Sequence, residues 1–388
     1  MGRVSENDII AKYQEEFRTH FKTSSFFTVI APGRINIIGE HTDYNLGLAM
    51  PIAINRWICT VISLREDNNI NIYASNFDEH ISLSMDDLDT GNENWEKYIF
   101  GCIKVFIDQY DINKGFDILI GGNVPIGFGM SSSAALEVSL LGALFYASGI
   151  LIDRQEILKL ANKVEKDFLG IQSGMLDQYA SIFSKKDNPL LIDFSALSHS
   201  YVKSNINRGS WVLINSMVDR PLADSKYNER VSECKLALKK INKTNEIDVK
   251  INELIIQDLE KIKGSTILYN RIFHVLSENK RVQSMRIALE QGDLILAGNI
   301  LSESHDSLRN NYEVSCKEID GIINIAKSQK GFYGGRIMGG GFGGCCLALV
   351  EDSKQDLFID TLLERFYNDF KYNLEIEFID FSNGLTFI

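Results

Sequence analysis

The chain has 388 residues, 45% of them hydrophobic and 24% charged, a composition that allows a globular protein with a sizeable core. Its formal net charge of −12 repels phosphate backbones and anionic lipid, which excludes nucleic acid and membrane surfaces as first partners. An anionic small molecule would need a local set of donors, or a metal ion, to be held here.

The six cysteines form no CxxC pair, and neighbouring Cys345 and Cys346 cannot readily share a tetrahedral metal site. In a chain of this length they read as reduced thiols, which places the protein in the cytoplasm. The first 17 residues lack the apolar stretch of a signal peptide. The longest near-apolar run, 140–152, is interrupted by Ser148 and Gly149 and is too short to cross a bilayer.

In chain order, β-branched or alternating runs at 26–30, 56–64, 70–73, 81–85 and 116–120 predict a strand-rich first half. Helical patterns follow at 132–148 and 153–169, the second with Asp153 in the N-cap position, and a third is expected at 177–183. Strands return at 190–194 and 211–216. The stretch 227–328 reads as several helices, followed by a glycine-dense turn over 334–344 and an apolar strand over 345–350. A helix over 354–367 and two short strands close the chain. The pattern is mixed α and β in two domains, with a soft boundary near 195–210.

Two segments carry chemistry. Residues 124–137 read VPIGFGMSSSAALE, in which Gly127 and Gly129 lead into three serines at a helix start. Glycines let the backbone approach a ligand closely, and a helix start offers unpaired N–H groups to an anion. A Gly/Ser turn with a serine cap is the bland alternative. The sequence has neither a Walker A motif nor the HRD and DFG motifs of protein kinases. Residues 31–54 read APGRINIIGEHTDYNLGLAMPIAI, which gathers Arg34, Glu40, His41 and Asp43 in one glycine-bracketed loop. Such a mixture of donors and acceptors suits a polyol, although Arg34 could also pair with Glu40 or Asp43 at the surface. Glu40, His41 and Asp43 could in principle ligate a metal, but residues this close in sequence rarely converge on one ion.

GRINIIGEHTDYN resembles the N-terminal signature of galactokinases. VPIGFGMSSSAALE and GGRIMGGGFGGCCLALV (334–350) resemble the second and third motifs of the wider GHMP kinase superfamily. GMLDQYAS (174–181), DSKYNER (224–230) and SHDSLRNNYEVSCKEID (304–320) extend the resemblance to nearly the whole chain.

The resemblance implies an α+β, two-domain GHMP kinase fold with its active site in the cleft. Residues 1–200 would form an N-terminal mixed α/β domain like domain 2 of ribosomal protein S5, and 201–388 a C-terminal α+β domain. The implied reaction is ATP-dependent phosphorylation of the C1 hydroxyl of galactose, with Mg2+ accompanying ATP.

Residue by residue, the family pattern assigns Asp177 as the base or orienting acid and Arg34 as its charge partner. Sugar contacts would be Arg34, Glu40, His41, Asp43, Gly174, Asp177 and Tyr227, with Asp43 at O3 and O4 and with Glu40 and His41 near O6. ATP would lie along Gly127, Gly129, Met130, Ser131, Ser132, Ser133 and Ala134. Mg2+ would be held by Ser133 and Glu165. Without the resemblance, Asp177 would read as a helix cap and Glu165 as a solvated acid. The third motif, 339–344, would be a turn that helps close the site; its glycines precede a strand, which is the wrong order for a dinucleotide fold.

The chain departs from the common family pattern at 219–221, Lys226, Val231, Asn311 and Met130. Two other functions compete: a sugar-1-kinase for a galactose-like sugar such as L-arabinose, and a galactose/ATP sensor without turnover. A monomer or weak homodimer, with small-molecule partners alone, is expected.

Overall fold

A computed structural model of the chain describes residues 4–88, 94–125, 128–171, 174–218, 223–245 and 248–388. A six-stranded sheet forms the frame of the first half. Its order is Thr386–Phe387, Phe27–Asn36, Pro51–Leu64, Phe116–Gly122, Asn69–Ala74, Glu79–Ser84. All neighbours are antiparallel except Asn69–Ala74 and Phe116–Gly122.

Side-chain alternation gives this sheet two buried faces. Val29, Ala31 and Ile58 point into the main core, where the helix Ser132–Ala147 is buried on nearly every side. Ile30, Trp57, Cys59 and Leu119 point the other way, onto Ile9, Tyr13 and Phe17 of the helix Glu6–Phe21. That helix and another at Asn94–Tyr110 were not anticipated. The first has a readable start, a capping box between Ser5 and Asp8, followed by apolar residues at helical spacing.

The second sheet runs Phe332–Ile337, Cys345–Glu351, Gly209–Asn215, Glu375–Phe378, all antiparallel. It too is buried on both faces: Leu213, Cys345 and Leu347 join the main core, while Ile214, Cys346 and Ala348 join a second core among the later helices. Those helices are Ala223–Asn245, Thr266–Gln291, Lys317–Lys327 and Gln355–Phe370, while Leu294–Ser307 packs Ala297, Ile300 and Leu301 into the main core. A small third sheet pairs Leu48–Ala49, Leu190–Asp193 and Ser198–Tyr201. The chain end returns to the first sheet, where Val29 faces Phe387 and Ile54 bridges Phe381.

Most expected elements are present, with two local corrections. The helix expected over 153–169 ends its regular part at Arg154–Lys163 and continues as a wider π turn, Val164–Phe168. The glycine-dense turn begins later than expected, because Gly334 and Gly335 lie within the strand Phe332–Ile337. These glycines serve packing. A Cβ on Gly334 would sit 1.8 Å from the Gly298 carbonyl oxygen, and one on Gly298 would sit 2.2 Å from that of Tyr333. Helix and strand therefore touch backbone to backbone.

Among the described residues no helix is long and apolar enough to cross a membrane. None of the six cysteines forms a disulfide, and five are buried.

Gly298→Ala tests the close approach. Alanine gains about 1 kcal/mol of helix propensity, but a contact against backbone should outweigh it. The expected result is a net loss of about 1–3 kcal/mol, read as a lower urea midpoint with an unchanged slope. A raised midpoint would show that helix and strand can separate freely.

Candidate active site

Arg34 lies on the first strand just past a register shift between Pro32 and Arg34. Gly33 makes that bulge useful. A Cβ there would come within 2.6 Å of the Met130 carbonyl oxygen, so only glycine lets the serine loop approach this closely. The Arg34 amide donates to Met130 O at 3.0 Å, and its Nη1 donates to Gly129 O at 2.6 Å. Its Nε and Nη2 reach Asp177 Oδ1 at 2.7 and 2.5 Å. Asp177 stands in the first turn of the helix Leu176–Phe183, 143 residues away in sequence.

The other Asp177 oxygen accepts from Ser131 Oγ. Ser131 has left-handed backbone (φ 59°) and caps the helix that Ser132 begins. The first expected nucleotide-loop serine is therefore spent on Asp177. Ser132 and Ser133 line the same cavity without such a bond.

That cavity, of about 580 Å3, gathers Arg34, Glu40, His41, Asp43, Gly129, Met130, Ser131, Ser132, Ser133, Glu165, Gly174, Asp177 and Tyr227. Ala134 is buried one residue beyond the wall, and Gly127 lies outside the described residues, as do the departures at 219–221. Tyr98, Gln178, Val218, Gly339 and Gly340 also line it. Of these, the two glycines belong to the third motif and Gln178 to GMLDQYAS; Tyr98 and Val218 stand in no motif that would have marked them.

Glu40 shows what the sequence reading missed. Its Oε1 accepts from Gly339 N at 2.8 Å and from both terminal nitrogens of Arg336 at 3.2 Å. Arg336, fully buried, also donates to the carbonyls of Asn36, Ile37 and Ile337. The pair fastens the first motif to the third. Helix Thr266–Gln291 fastens the same loop from behind, through Glu278 to Gly39 N (3.1 Å) and His274 to Glu40 O (3.1 Å). A buried arginine near the end of a strand has no sequence signal of its own; only the GGR start of the third motif marks it.

Acid groups crowd the cavity. Burial first, and then the charges of Asp177 and Glu40, push the Asp43 carboxyl up to about 7. Asp43 Oδ2 would lie 1.7 Å from a Cβ on Gly174, so that glycine makes the room it occupies. Glu137 is fully buried behind the serine loop. Its Oε2 accepts from Gln178 at 3.0 Å, and its Oε1 has no hydrogen-bond partner among the described residues. Burial, then Glu165 and Asp177, raise it well above the ordinary carboxylate range. Ser133 and Glu165 supply the hard oxygen donors that suit Mg2+, which takes one or two protein ligands beside phosphates and water. Among the described residues no group of three or more His, Cys, Asp or Glu could hold a metal alone. The donor set thus fits an ion that arrives with a polyphosphate.

Comparison with known proteins places this geometry. The galactokinase galactose-binding signature matches residues 15–64, and the N- and C-terminal GHMP kinase domains match 97–185 and 285–368. The galactokinase of Clostridium acetobutylicum is 36% identical over 386 residues, covering 97% of this chain and 98% of that one. The chain belongs to the galactokinase family. The galactokinase of Clostridium tetani is 39% identical, with 92% of each chain covered. The crystal structure of Lactococcus lactis galactokinase complexed with galactose superposes with a TM-score of 0.91 at 32% identity, over 97% of this chain and 99% of that one. Methanococcus jannaschii mevalonate kinase, at 19% identity and TM-score 0.67, shares the fold. The galactokinase-family architecture is thus the two-domain GHMP fold expected from the motifs, and the cavity is lined by both halves of the chain.

Asp43 gives a prediction whose sign follows from linkage. A carboxyl raised by folding binds its proton more tightly in the folded chain, so its contribution to stability falls as pH rises from the ordinary carboxylate range through about 7. Asp43→Asn should therefore raise the melting temperature at pH 8 by about 2–4 °C and change it less at pH 5. A larger gain at pH 5 would contradict the assigned environment.

Proposed function

We propose that this galactokinase-family chain transfers the γ-phosphoryl group of ATP to the C1 hydroxyl of D-galactose, giving α-D-galactose 1-phosphate and ADP in galactose catabolism. The observation that carries the proposal is the Arg34–Asp177 contact, made beside the serine loop in a cavity also lined by the polyol-binding first motif.

Asp177 takes the C1 hydroxyl as its ligand. As the oxygen forms its bond to the γ-phosphorus and the bond from phosphorus to the β,γ-bridging oxygen breaks, the hydroxyl proton passes to Asp177 and ADP departs. Arg34 holds Asp177 through its Nε and Nη2 and places positive charge beside the transferring group. Much of the rate comes from holding the two reactants in line. When bound with ATP, Mg2+ neutralises charge on the phosphates, and Ser133 and Glu165 are the residues that would hold it. The phosphates follow the loop of Gly127, Gly129, Met130, Ser131, Ser132, Ser133 and Ala134, where the start of the helix Ser132–Ala147 favours anions.

Asp43, made room for by Gly174, accepts the O3 and O4 hydroxyls. Glu40 uses one oxygen on Arg336 and Gly339, leaving Oε2 for the sugar beside His41, while the Tyr227 ring covers the pocket 5.4 Å from that of His41. A site that hydrogen-bonds the axial C4 hydroxyl rejects the epimer that lacks it, because buried groups would go unpaired. Six cysteines without a disulfide, five of them buried, suit a reducing compartment, the cytoplasm.

ADP release across a panel of free sugars tests the proposal: galactose should be preferred, and preference for a pentose such as L-arabinose would replace it with the related reading. Asp177→Asn should lower kcat by about 10² or more while ATP still binds. Unchanged turnover would remove Asp177 from the chemistry.

A further inference from the structure

Behind the cavity wall four polar side chains form one continuous line. His41 Nδ1 lies 2.8 Å from Tyr44 Oη, which lies 2.9 Å from Tyr312 Oη, which lies 3.1 Å from Cys234 Sγ. Asn45 Nδ2 braces the line at both ends, donating to His41 O at 2.8 Å and toward Cys234 Sγ at 3.7 Å. The four residues come from three separate places: the first motif, the helix Ala223–Asn245, and the turn Leu308–Tyr312. Tyr312 and Cys234 are fully buried in the second core, and neither they nor Tyr44 lines the cavity. His41 lines it. Phenylalanine and valine would fill the same space without polar groups to satisfy, so the line has a role beyond packing.

A neutral imidazole has one N–H, and each hydroxyl has one proton to donate. The line can therefore be ordered in two ways. Either protons point toward His41, so that Nδ1 accepts and Nε2 carries the hydrogen, or they point toward Cys234 and the ring is reversed.

The chemistry of the Tyr44–His41 pair selects the first order. His41 stays neutral, since burial first, and then His274 and Arg230, lower it to about 3. A phenol O–H facing an imidazole lone pair is a strong donor to a strong acceptor. Nε2 is itself buried and has no hydrogen-bond partner among the described residues, so in this order its N–H is left for a ligand. His41 itself has left-handed backbone (φ 60°).

We propose that Cys234, Tyr312 and Tyr44 are positioning residues which fix His41 as the Nε2–H tautomer and so present one hydrogen-bond donor to a sugar oxygen. This deepens the reading of His41 as a sugar contact and rests on it. The sugar oxygen facing His41 is an acceptor, and its own hydrogen is free to point elsewhere, toward the remaining Glu40 oxygen.

The test uses the full chain labelled with 15N-histidine, with long-range 1H–15N correlation assigning the His41 ring by its absence in His41→Asn. The wild-type ring should show a protonated Nε2 and an unprotonated Nδ1. Tyr44→Phe should mix the tautomers, raise KM for galactose about tenfold and leave kcat within about threefold. Tyr312→Phe should shift both in the same direction, whereas Cys234→Ser, which retains a donor, should keep the tautomer. A wild-type ring protonated at Nδ1, or Tyr44→Phe and Tyr312→Phe variants with the tautomer unmoved, would overturn the proposal. If the wild type fails to use galactose, the functional reading falls, and the ring spectra still decide whether the line sets the tautomer.

Discussion

The site depends on one contact, that of the Arg34 guanidinium with the Asp177 carboxylate. Arg34 is nearly buried and Asp177 is about one-third open to the cavity, with side-chain exposures of 7% and 34%. The arginine is held on three sides, by Asp177, by Gly129 O and, through its own amide, by Met130 O. Removing either charge would leave the other in a poorly solvated place, a costly state. The contact also sets distances: it ties the first strand, the serine loop and the helix Leu176–Phe183 to one point. Ser181 Oγ, donating to Pro32 O at 2.7 Å, repeats the strand-to-helix tie one turn on.

A second constraint follows from placing so many acids in one cleft. The fold handles them in three ways. Glu40 and Glu278 are each matched to a buried or nearly buried arginine, Arg336 and Arg281. The guanidinium of Arg281 and the positive charges near it keep Glu278 down at about 2 despite its burial. Asp43 and Glu137 instead hold protons more tightly than ordinary carboxyls. Asp177 is matched by Arg34 and left partly open. Held by an arginine, partly open and beside the phosphate loop is the placement a base needs. The same crowding makes the empty site less stable than it could be, a cost commonly accepted where function requires it.

The legible parts of the molecule were those with local signals. The strands at 56–64 and 116–120, the helix after the serines, and the Asp153 cap announce themselves through alternation, periodicity and capping chemistry. Most motif residues expected to meet do line one cavity, because motifs record backbone shapes that only certain residues allow, as at Gly33 and Gly174. What stayed hidden was long-range. Arg336 reaches Glu40 across 296 positions, and Cys234 reaches Tyr312 across 78. Neither partner carries a periodic or compositional mark. The strand character of Gly334 and Gly335 was hidden for a related reason: glycine reads as a turn, and only the helix lying against it explains its place in a sheet.

A double-mutant cycle on turnover bears most directly on the Arg34–Asp177 contact. If the two side chains act as one unit, Arg34→Leu combined with Asp177→Asn should retain at least about ten times the kcat that the two separate losses, multiplied, would leave. Losses that multiply, with ATP binding intact in all three variants, would show that the two residues work independently and would contradict the account.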